Sequence, residues 1–336
     1  MKKKFLALFA VALTGVMAMG LVGCGGGGDT AKSDGGSAPA AETANLRFVT
    51  GGESGTYYAY GNVLAQYATN GDYGVAVTAL AGNGSQANVQ ALQDDDADIA
   101  FCQSDVLAYA YEGTNLFEGA GYEDFSIVAD LYQEQVQIVT CDPNIKTVAD
   151  LKGKTVSVGA AGSGVYFNAL DVLAAYDLTL DDISPVYQSF GDSADSLKDN
   201  KIDAAFIVAG APTTAITDLS TTKTAYLVSM DDEHVAKLLE ASPYYAKAVI
   251  SADTYGLESD VTTVSVGAVV IANNSVSEDA IYGLTKSIFE GAEKNVDAHA
   301  KYKELAIEDA AAITTVPYHP GAAKYYAEQN ITVESK

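Results

Sequence analysis

Two short loops place hydroxyl and glycine residues where a helix is expected to begin. They are Ser54-Gly55-Thr56 and Ser163-Gly164. The first N–H groups of a helix have no partner within it, and the helix dipole puts partial positive charge there. Such a loop can bind a carboxylate or a phosphate without a cationic side chain. Because these residues also serve ordinary turns and caps, the pair of loops indicates an anion site more strongly than either loop alone.

No sequence motif indicates catalysis. A Gly-x-Ser-x-Gly elbow and a Walker A loop are both missing from the sequence. The segment 82–87 matches a dinucleotide-binding pattern only loosely. The acidic run 94–98 lacks the glycine and the distal glutamate of a calcium loop. We therefore expect neither catalytic residues nor a cofactor.

Residues suited to metal binding or redox chemistry are few. Apart from Cys24, the chain has only Cys102 and Cys141, each in an apolar, strand-like segment. Such a pair can form a disulfide in an oxidising compartment, but buried free thiols are the simpler interpretation. The three histidines are scattered along the chain, so no metal site is expected.

Strands and helices alternate along the chain, and the same order occurs twice. A strand at 46–50 leads through the first loop to a helix at 56–68. A strand at 155–159 leads through the second loop to a helix at 165–176. Each half carries three strand–loop–helix units in this order, with apolar residues at helical spacing in the helices. The pattern predicts two α/β lobes of similar plan.

Two long extended runs, 126–140 and 261–272, connect the predicted lobes. A chain that leaves one lobe by a strand and returns by another has a two-strand hinge. The predicted fold class is therefore α/β, with two lobes and a two-strand hinge. Lobe one would comprise residues 45–130 and 265–336, and lobe two residues 131–264.

The chain is strongly acidic, with a formal net charge of −25. Nucleic acid is excluded as a partner, because neutralising its phosphates needs a basic face. An anionic ligand would have to be held by local donors against a repulsive overall field. Arg47 is the one arginine of the chain and is expected at the buried start of a strand.

The N-terminus has the features of a targeting segment. Lys2 to Lys4 precede an apolar stretch at 5–19, which suits a signal peptide and is short for a membrane-spanning helix. Residues 21–24, Leu-Val-Gly-Cys, resemble a bacterial lipobox. We expect a signal peptide at 1–23, lipidation of Cys24 and a flexible stalk at 24–44, which would hold the protein outside the cell membrane. An ordinary signal peptide or a marginal membrane anchor is the alternative.

Several motifs resemble those of the TAXI family, the substrate-binding subunits of one branch of the TRAP (tripartite ATP-independent periplasmic) transporters. The opening motif is Thr-Gly-Gly-Glu-Ser-Gly-Thr-Tyr-Tyr at 50–58. Further matches follow in order at 98–105, 150–154, 162–164, 210–216 and 317–322, with tyrosines at 325 and 326. The resemblance implies a type II periplasmic-binding-protein fold that closes on a ligand. It also implies delivery of a small carboxylate, such as glutamate, a related amino acid or a dicarboxylate, to an ion-coupled membrane permease.

The resemblance also assigns ligand-binding residues by position. On the first-lobe side they are Gly55, Thr56, Tyr57, Asn83, Ser85, Gln103 and Ser104. On the other side they are Ser163, Gly164, Phe206 and Pro212, with Tyr132 on the outgoing hinge strand. Glu53 departs from this pattern, because an acidic side chain that pointed inward would disfavour a carboxylate.

Two other functions remain open. The binding subunit of an ATP-driven (ABC) importer would have the same fold, and only the TAXI-like motifs favour the TRAP type. An enzyme or an adhesin on the same scaffold is the third candidate, but no residue set predicts it. We expect a monomer that does no chemistry of its own.

Overall fold

The computed structural model describes residues 43–336. The predicted signal peptide, Cys24 and nearly all of the predicted stalk lie outside the described residues. Residues 43–336 form ten strands and ten α-helices, with five short 3₁₀ turns between them. None of these helices has both the length and the hydrophobicity needed to cross a bilayer.

All of the strands belong to one sheet. Their bounds are β1 Ala44–Val49, β2 Val75–Leu80, β3 Ile99–Gln103, β4 Phe125–Thr140, β5 Thr155–Ser157, β6 Ser184–Val186, β7 Ala204–Ala209, β8 Tyr226–Leu227, β9 Ala246–Ile250 and β10 Val261–Asn273. Strands β1 to β3 and β5 to β7 are the ones that the alternating pattern predicts.

The helices follow the strands in chain order. Their bounds are α1 Thr56–Asn70, α2 Ser85–Gln93, α3 Ser104–Glu112, α4 Val165–Ala175, α5 Phe190–Lys198, α6 Thr214–Ser220, α7 Asp232–Ala241, α8 Glu278–Asn295, α9 Ile307–Ala310 and α10 Pro320–Glu328. Helix α8 begins with a Ser277 cap, whose hydroxyl accepts a hydrogen bond from Ala280 N, and two acidic residues follow in its first turn.

The strand order shows two lobes of the same plan. The sheet runs β2-β1-β3-β10-β4-β7-β5-β6, with β8 beside β4 and β9 beside β10. Strand β1 pairs in parallel with β2 and β3, and β5 pairs in parallel with β6 and β7. Parallel neighbours need a crossover connection, which the helices supply. The predicted two-lobed α/β fold is confirmed.

Strands β4 and β10 pass from one lobe to the other. They pair antiparallel with each other from Phe125↔Asn273 to Gln135↔Ser265. The second part of β4 pairs with β7, whereas the first part of β10 pairs with β9 and its second part with β3. Both connections between the lobes are thus strands of one ribbon, as the two extended runs predict.

Each lobe has its own hydrophobic core. Aromatic rings dominate the first, where Tyr60 stacks on Tyr302 with 3.9 Å between ring centroids and Tyr57 stacks on Phe101 at 4.4 Å. The second lobe is filled mainly by aliphatic side chains around β5 and α4. Fully burying one large apolar side chain stabilises a fold by about 1.5–3 kcal/mol, so each lobe can hold its shape while the hinge moves.

Arg47 is not buried, contrary to the prediction. Its neighbours Leu46 and Phe48 point into the core, so the alternation of the strand turns Arg47 to the opposite side. The Arg47 side chain is 43% exposed and pairs with Asp98 at 2.9 Å and with Asp95 at 3.1 Å. The only arginine is therefore committed to an ion pair within the first lobe.

Cys102 and Cys141 are free thiols, as expected. Cys102 is buried in β3, and Cys141 is half-buried just after β4. Burial raises the pKa of both thiols, so both stay protonated at neutral pH.

Candidate functional site

A cavity of about 110 Å³ lies between the lobes. Loops at the carboxyl ends of the parallel strands surround it, which is where ligands bind in open α/β sheets. The first lobe contributes the loops after β1 and β2, and the second lobe contributes the loops after β5 and β6. The lining thus combines the strand–loop–helix units that the sequence repeats.

Eight of the residues assigned by resemblance line this cavity. They are Gly55, Thr56, Tyr57, Asn83, Ser85, Gln103, Ser163 and Gly164. The structure therefore brings the two loops that the sequence predicts to bind an anion to opposite sides of one cavity. Their contact with a ligand remains a prediction.

The other four assigned residues lie outside the cavity lining. Ser104 Oγ accepts a hydrogen bond from Gly267 N at 2.8 Å in the hinge region. Tyr132 and Phe206 are buried in β4 and β7, and Pro212 is exposed after Gly210 and Ala211. On β7 the lining residue is Val208, two positions nearer the carboxyl end of the strand.

Five helices have their N-cap residue in the cavity lining, and three of these caps are glycines. The N-cap residues of α1, α2 and α4 are Gly55, Gly84 and Gly164, and no acidic residue lies in these first turns. Helix α3 begins after Gln103 and has the acidic Asp105 in its first turn, whereas α5 is capped by Ser189, whose hydroxyl accepts a hydrogen bond from Asp192 N. Glycine caps leave the first N–H groups free of a competing side chain, so the three helix starts form a positive region.

Two hydroxyl groups in the lining have no hydrogen-bond partner within residues 43–336. They are Ser163 Oγ and Tyr57 Oη, which belong to opposite lobes and to residues that are more than nine-tenths buried. A buried polar atom without a partner costs about 1–3 kcal/mol. Both residues line the cavity, so these hydroxyls keep unused hydrogen-bonding capacity beside it.

Hydrogen bonds cross between the lobes around the cavity. Ala87 N donates to Gly162 O at 2.9 Å, and Thr56 Oγ1 donates to Gly210 O at 2.8 Å. Gly84 and Ser163 also touch, since a Cβ atom on Gly84 would lie 3.2 Å from the Ser163 Cα atom. The lobes are therefore in contact on both sides of the cavity.

A buried polar network joins the lobes beside the cavity. Gln103 Nε2 donates to Asn168 Oδ1 at 2.9 Å, and Asn168 Nδ2 donates to Asp105 Oδ2 at 2.9 Å and to Tyr245 Oη at 2.8 Å. The Tyr245 hydroxyl donates in turn to Asp171 Oδ2. Burial, reinforced by the charge of Asp171, raises the pKa of Asp105 to about 7.

The charged groups of the lining are both acidic. Glu53 is exposed, whereas Glu134 on β4 is 2% exposed. Burial raises the pKa of the Glu134 carboxyl well above its usual range, while the nearby Tyr57 hydroxyl and the charge of Lys301 oppose that rise. The lining holds no arginine, lysine or histidine among the residues that the structure describes.

The resemblance assigned neither Glu134 nor the second-lobe loop residues Ser189, Phe190 and Gly191 to the ligand site. Glu134 lies on β4 among several other polar residues, so the sequence of that strand did not single it out. Phe190 opens α5, in the loop that repeats the plan of the first lobe. Among residues 43–336, no three His, Cys, Asp or Glu side chains are grouped to hold a metal ion.

The sequence profile of the NMT1-like family matches residues 48–329. This range covers both lobes, the hinge strands and every residue of the cavity lining.

Three solved structures illustrate the likeness in fold. One is described as a periplasmic transporter, with a TM-score of 0.53, 13% identity, and coverage of 78% of this chain and 88% of the other. The second is the ligand-binding component of an ABC-type import system from Staphylococcus aureus, solved with zinc bound. Its TM-score is 0.51 and its identity 9%, and the match covers 87% of this chain and 94% of the other. The third is a protein of Bordetella bronchiseptica RB50, with a TM-score of 0.51, 17% identity, and coverage of 84% of this chain and 89% of the other. At these identities the likeness shows a shared periplasmic-binding-protein fold.

Proposed function

Because the chain belongs to the NMT1-like family and has the periplasmic-binding-protein fold, we propose that it is an extracytoplasmic solute-binding protein. It captures a small carboxylate between its lobes and delivers it to a membrane permease. One observation carries the proposal: three glycine-capped helix starts from both lobes converge on a single cavity. Such starts bind a carboxylate without a cationic side chain.

Capture follows from the position of the cavity between the lobes. A carboxylate held by α1 and α2 on one side and by α4 on the other contacts both lobes only when they are together. The ligand thus stabilises the closed form by its differential affinity. The β4–β10 ribbon is the element that bends when the lobes separate.

Binding, rather than catalysis, is what the lining chemistry favours. Its polar groups are backbone amides, hydroxyls and amides of side chains, together with the acids Glu53 and Glu134. Within the described residues Ser163 Oγ has no hydrogen-bond partner, so no base there activates it as a nucleophile. The lining therefore offers a set of fixed donors that suits retention of a solute.

The partner that we propose is a TRAP-type, ion-coupled permease. The TAXI-like motifs support this choice, and the opening motif at 50–58 includes the α1 loop of the cavity. An ABC importer is the second candidate, since one structure of similar fold is the binding component of such a system. A gene for a large fused membrane permease beside this one supports the TRAP type, whereas a gene for an ATPase overturns it.

We also propose that the protein works at the outer face of the cell membrane, attached through a lipid on Cys24. The lipobox-like residues 21–24 and the glycine run that follows them support this anchor. A flexible tether keeps a binding protein close to its permease and leaves the lobes free to turn.

A thermal-shift screen of the purified chain tests the ligand class. The panel contains amino acids, dicarboxylates, 2-oxoacids and matched neutral amides. At least one carboxylate should raise the melting temperature, because a ligand that binds only the folded protein stabilises it by mass action. The matched amide should have little effect. If no carboxylate raises the melting temperature, the proposed ligand class is wrong.

A further inference from the structure

Resting on the function proposed above, we propose that Glu134 binds an ammonium group of the solute. The cavity then selects amino acids over carboxylates that lack an amine. Glu134 was not among the residues assigned by resemblance, and it gives the site a second binding group with the opposite charge preference.

The placement of Glu134 is the first argument. Its side chain lines the cavity although the residue is 2% exposed, so the carboxyl group meets the cavity rather than the outer solvent. The neighbouring hydrogen-bonding group is the Tyr57 hydroxyl, which completes no hydrogen bond of good geometry within residues 43–336. A buried carboxyl and a buried hydroxyl with unused capacity thus face the same space.

The charges around Glu134 are the second argument. Lys301 is the cation near it, but Lys301 Nζ is 2.6 Å from Glu304 Oε1 and its side chain is only 4% exposed. Asp105 on α3 and Asp130 on β4 itself lie near it and oppose its ionisation, as burial does. Because Lys301 is already paired, Glu134 is left free to pair with a cation that enters the cavity.

The cavity lining therefore contains groups of opposite charge preference. Glycine-capped helix starts offer N–H groups to an anion, whereas Glu134 offers a carboxyl group to a cation. An amino acid carries both charges on neighbouring atoms and satisfies both kinds of group. A simple dicarboxylate satisfies only the helix starts and leaves the acid without a partner, which is costly for a buried group.

The protonation of Glu134 agrees with this role. Burial raises its pKa, and the groups facing it are Tyr57 on α1, Cys102 on β3, Tyr132 and Asp130 on β4, Asp105 on α3 and Lys301 on a 3₁₀ turn. An ammonium group that enters stabilises the ionised carboxyl, so the Glu134 proton leaves to solvent. Amino-acid binding should therefore tighten as the pH rises towards neutrality.

Matched pairs of probes test the proposal. Each pair differs only in the amine: L-glutamate and glutarate, L-aspartate and succinate, L-leucine and 4-methylpentanoate. Isothermal titration of the full chain should show at least one amino acid binding about tenfold or more tightly than its deaminated partner. Glu134→Gln should abolish that preference. Glu123→Gln neutralises an exposed acid just before the same strand, outside the cavity lining, and should keep the preference.

The outcomes separate this proposal from the function on which it rests. If deaminated partners bind as tightly as the amino acids, or if Glu134→Gln keeps the preference, the ammonium site is wrong while carboxylate capture stands. If no probe of either kind binds, both proposals fail. Should Glu134→Gln not fold by circular dichroism, Glu134→Asp replaces it and must retain the preference for the amine at a reduced affinity.

Discussion

The backbone at position 164 shows how closely the two sides of the cavity approach. A Cβ atom there would lie 1.4 Å from Gln103 Oε1 and 3.0 Å from Ser85 Oγ. Gly164 has φ −68°, which any residue can adopt, so the turn itself does not require glycine. Gln103 is held in place by its hydrogen bond to Asn168. Glycine is needed here because the lobes meet, rather than because of backbone strain.

We expect Gly164→Ala to weaken solute binding at least about tenfold. The added methyl group forces Gln103 away, and the hydrogen bonds that this side chain makes across the cavity are lost. Titration with the strongest ligand of the thermal-shift screen measures the effect. In a Gln103→Ala background the same substitution should cost little more, because the clashing group is gone. Additive effects of the two substitutions would contradict this explanation.

Residue chemistry predicted part of this site and could not predict the rest. Gly55, Ser163 and Gly164 stand out because glycine and hydroxyl residues at a helix start suggest a donor site. Glu134 is one of 44 acidic residues, and nothing in its type distinguishes it from those on the surface. Only its register on β4, set by pairing with β10, turns the carboxyl group towards the cavity.

Among the elements, those of the first lobe and the hinge were predictable because their patterns are long. Helix α1 has fifteen residues, and the hinge strands β4 and β10 have sixteen and thirteen. No elements were predicted for residues 214–250, which hold α6, β8, α7 and β9, of two to ten residues each. The three-residue strands β5 and β6 were predictable because they fall in the repeated strand–loop–helix order. Residues 214–250 lie outside that repeat, and the positions of their elements depend on packing against the sheet.

The network around Asp105 ties three elements together. Asp105 lies in the first turn of α3, Asn168 in α4, and Tyr245 just before β9, so a single set of hydrogen bonds joins both lobes. Asp105 Oδ1 has no partner within the described part of the chain. A protonated carboxyl suits this position better than a carboxylate, in keeping with a pKa of about 7.

Asp105→Asn should make stability less sensitive to pH. The folded carboxyl titrates near 7 and the unfolded one near 4, so the native protein binds the extra proton in this interval and loses stability as the pH rises through it. The asparagine variant does not lose stability in this way. Its free energy of unfolding relative to that of the native chain should therefore increase from pH 4 to pH 7 and stay constant above pH 7. Urea unfolding at pH 5 and pH 8 measures it. An equal difference at both pH values would contradict the shift.

At the scale of the whole molecule, the net charge acts together with the membrane attachment that we propose. A net charge of −25 keeps the protein soluble and away from other acidic surfaces, but it also repels an anionic solute. Local donors at the cavity must overcome that field, which is screened over about 8 Å at physiological salt. The proposed tether would hold the lobes near a permease and so shorten the distance over which a weakly attracted solute must be carried.

Cys24→Ala should release the protein from the membrane without changing its ligand binding. The substitution removes the thiol proposed to carry the lipid, whereas the cavity lies wholly within residues 51–208. Cell fractionation followed by immunoblotting measures the release. Cys141→Ala, which removes a free thiol of the folded lobes, is the matched control and should stay with the membrane. If the Cys24 variant also stays there, the lipid anchor is wrong.

The hydrogen bonds between Gln103, Asn168 and Asp105 need no solute atom, and this has a consequence for the speed of uptake. These hydrogen bonds favour the closed form of the two lobes whether or not a solute is bound. A closed molecule without solute cannot bind one. The apparent affinity for the solute therefore falls in proportion to the fraction of molecules that are open. Stronger bonds would retain a solute longer but slow its entry and let empty molecules occupy the permease. The strength of these few hydrogen bonds therefore sets a compromise between tight capture of the solute when it is scarce and fast transport when it is abundant.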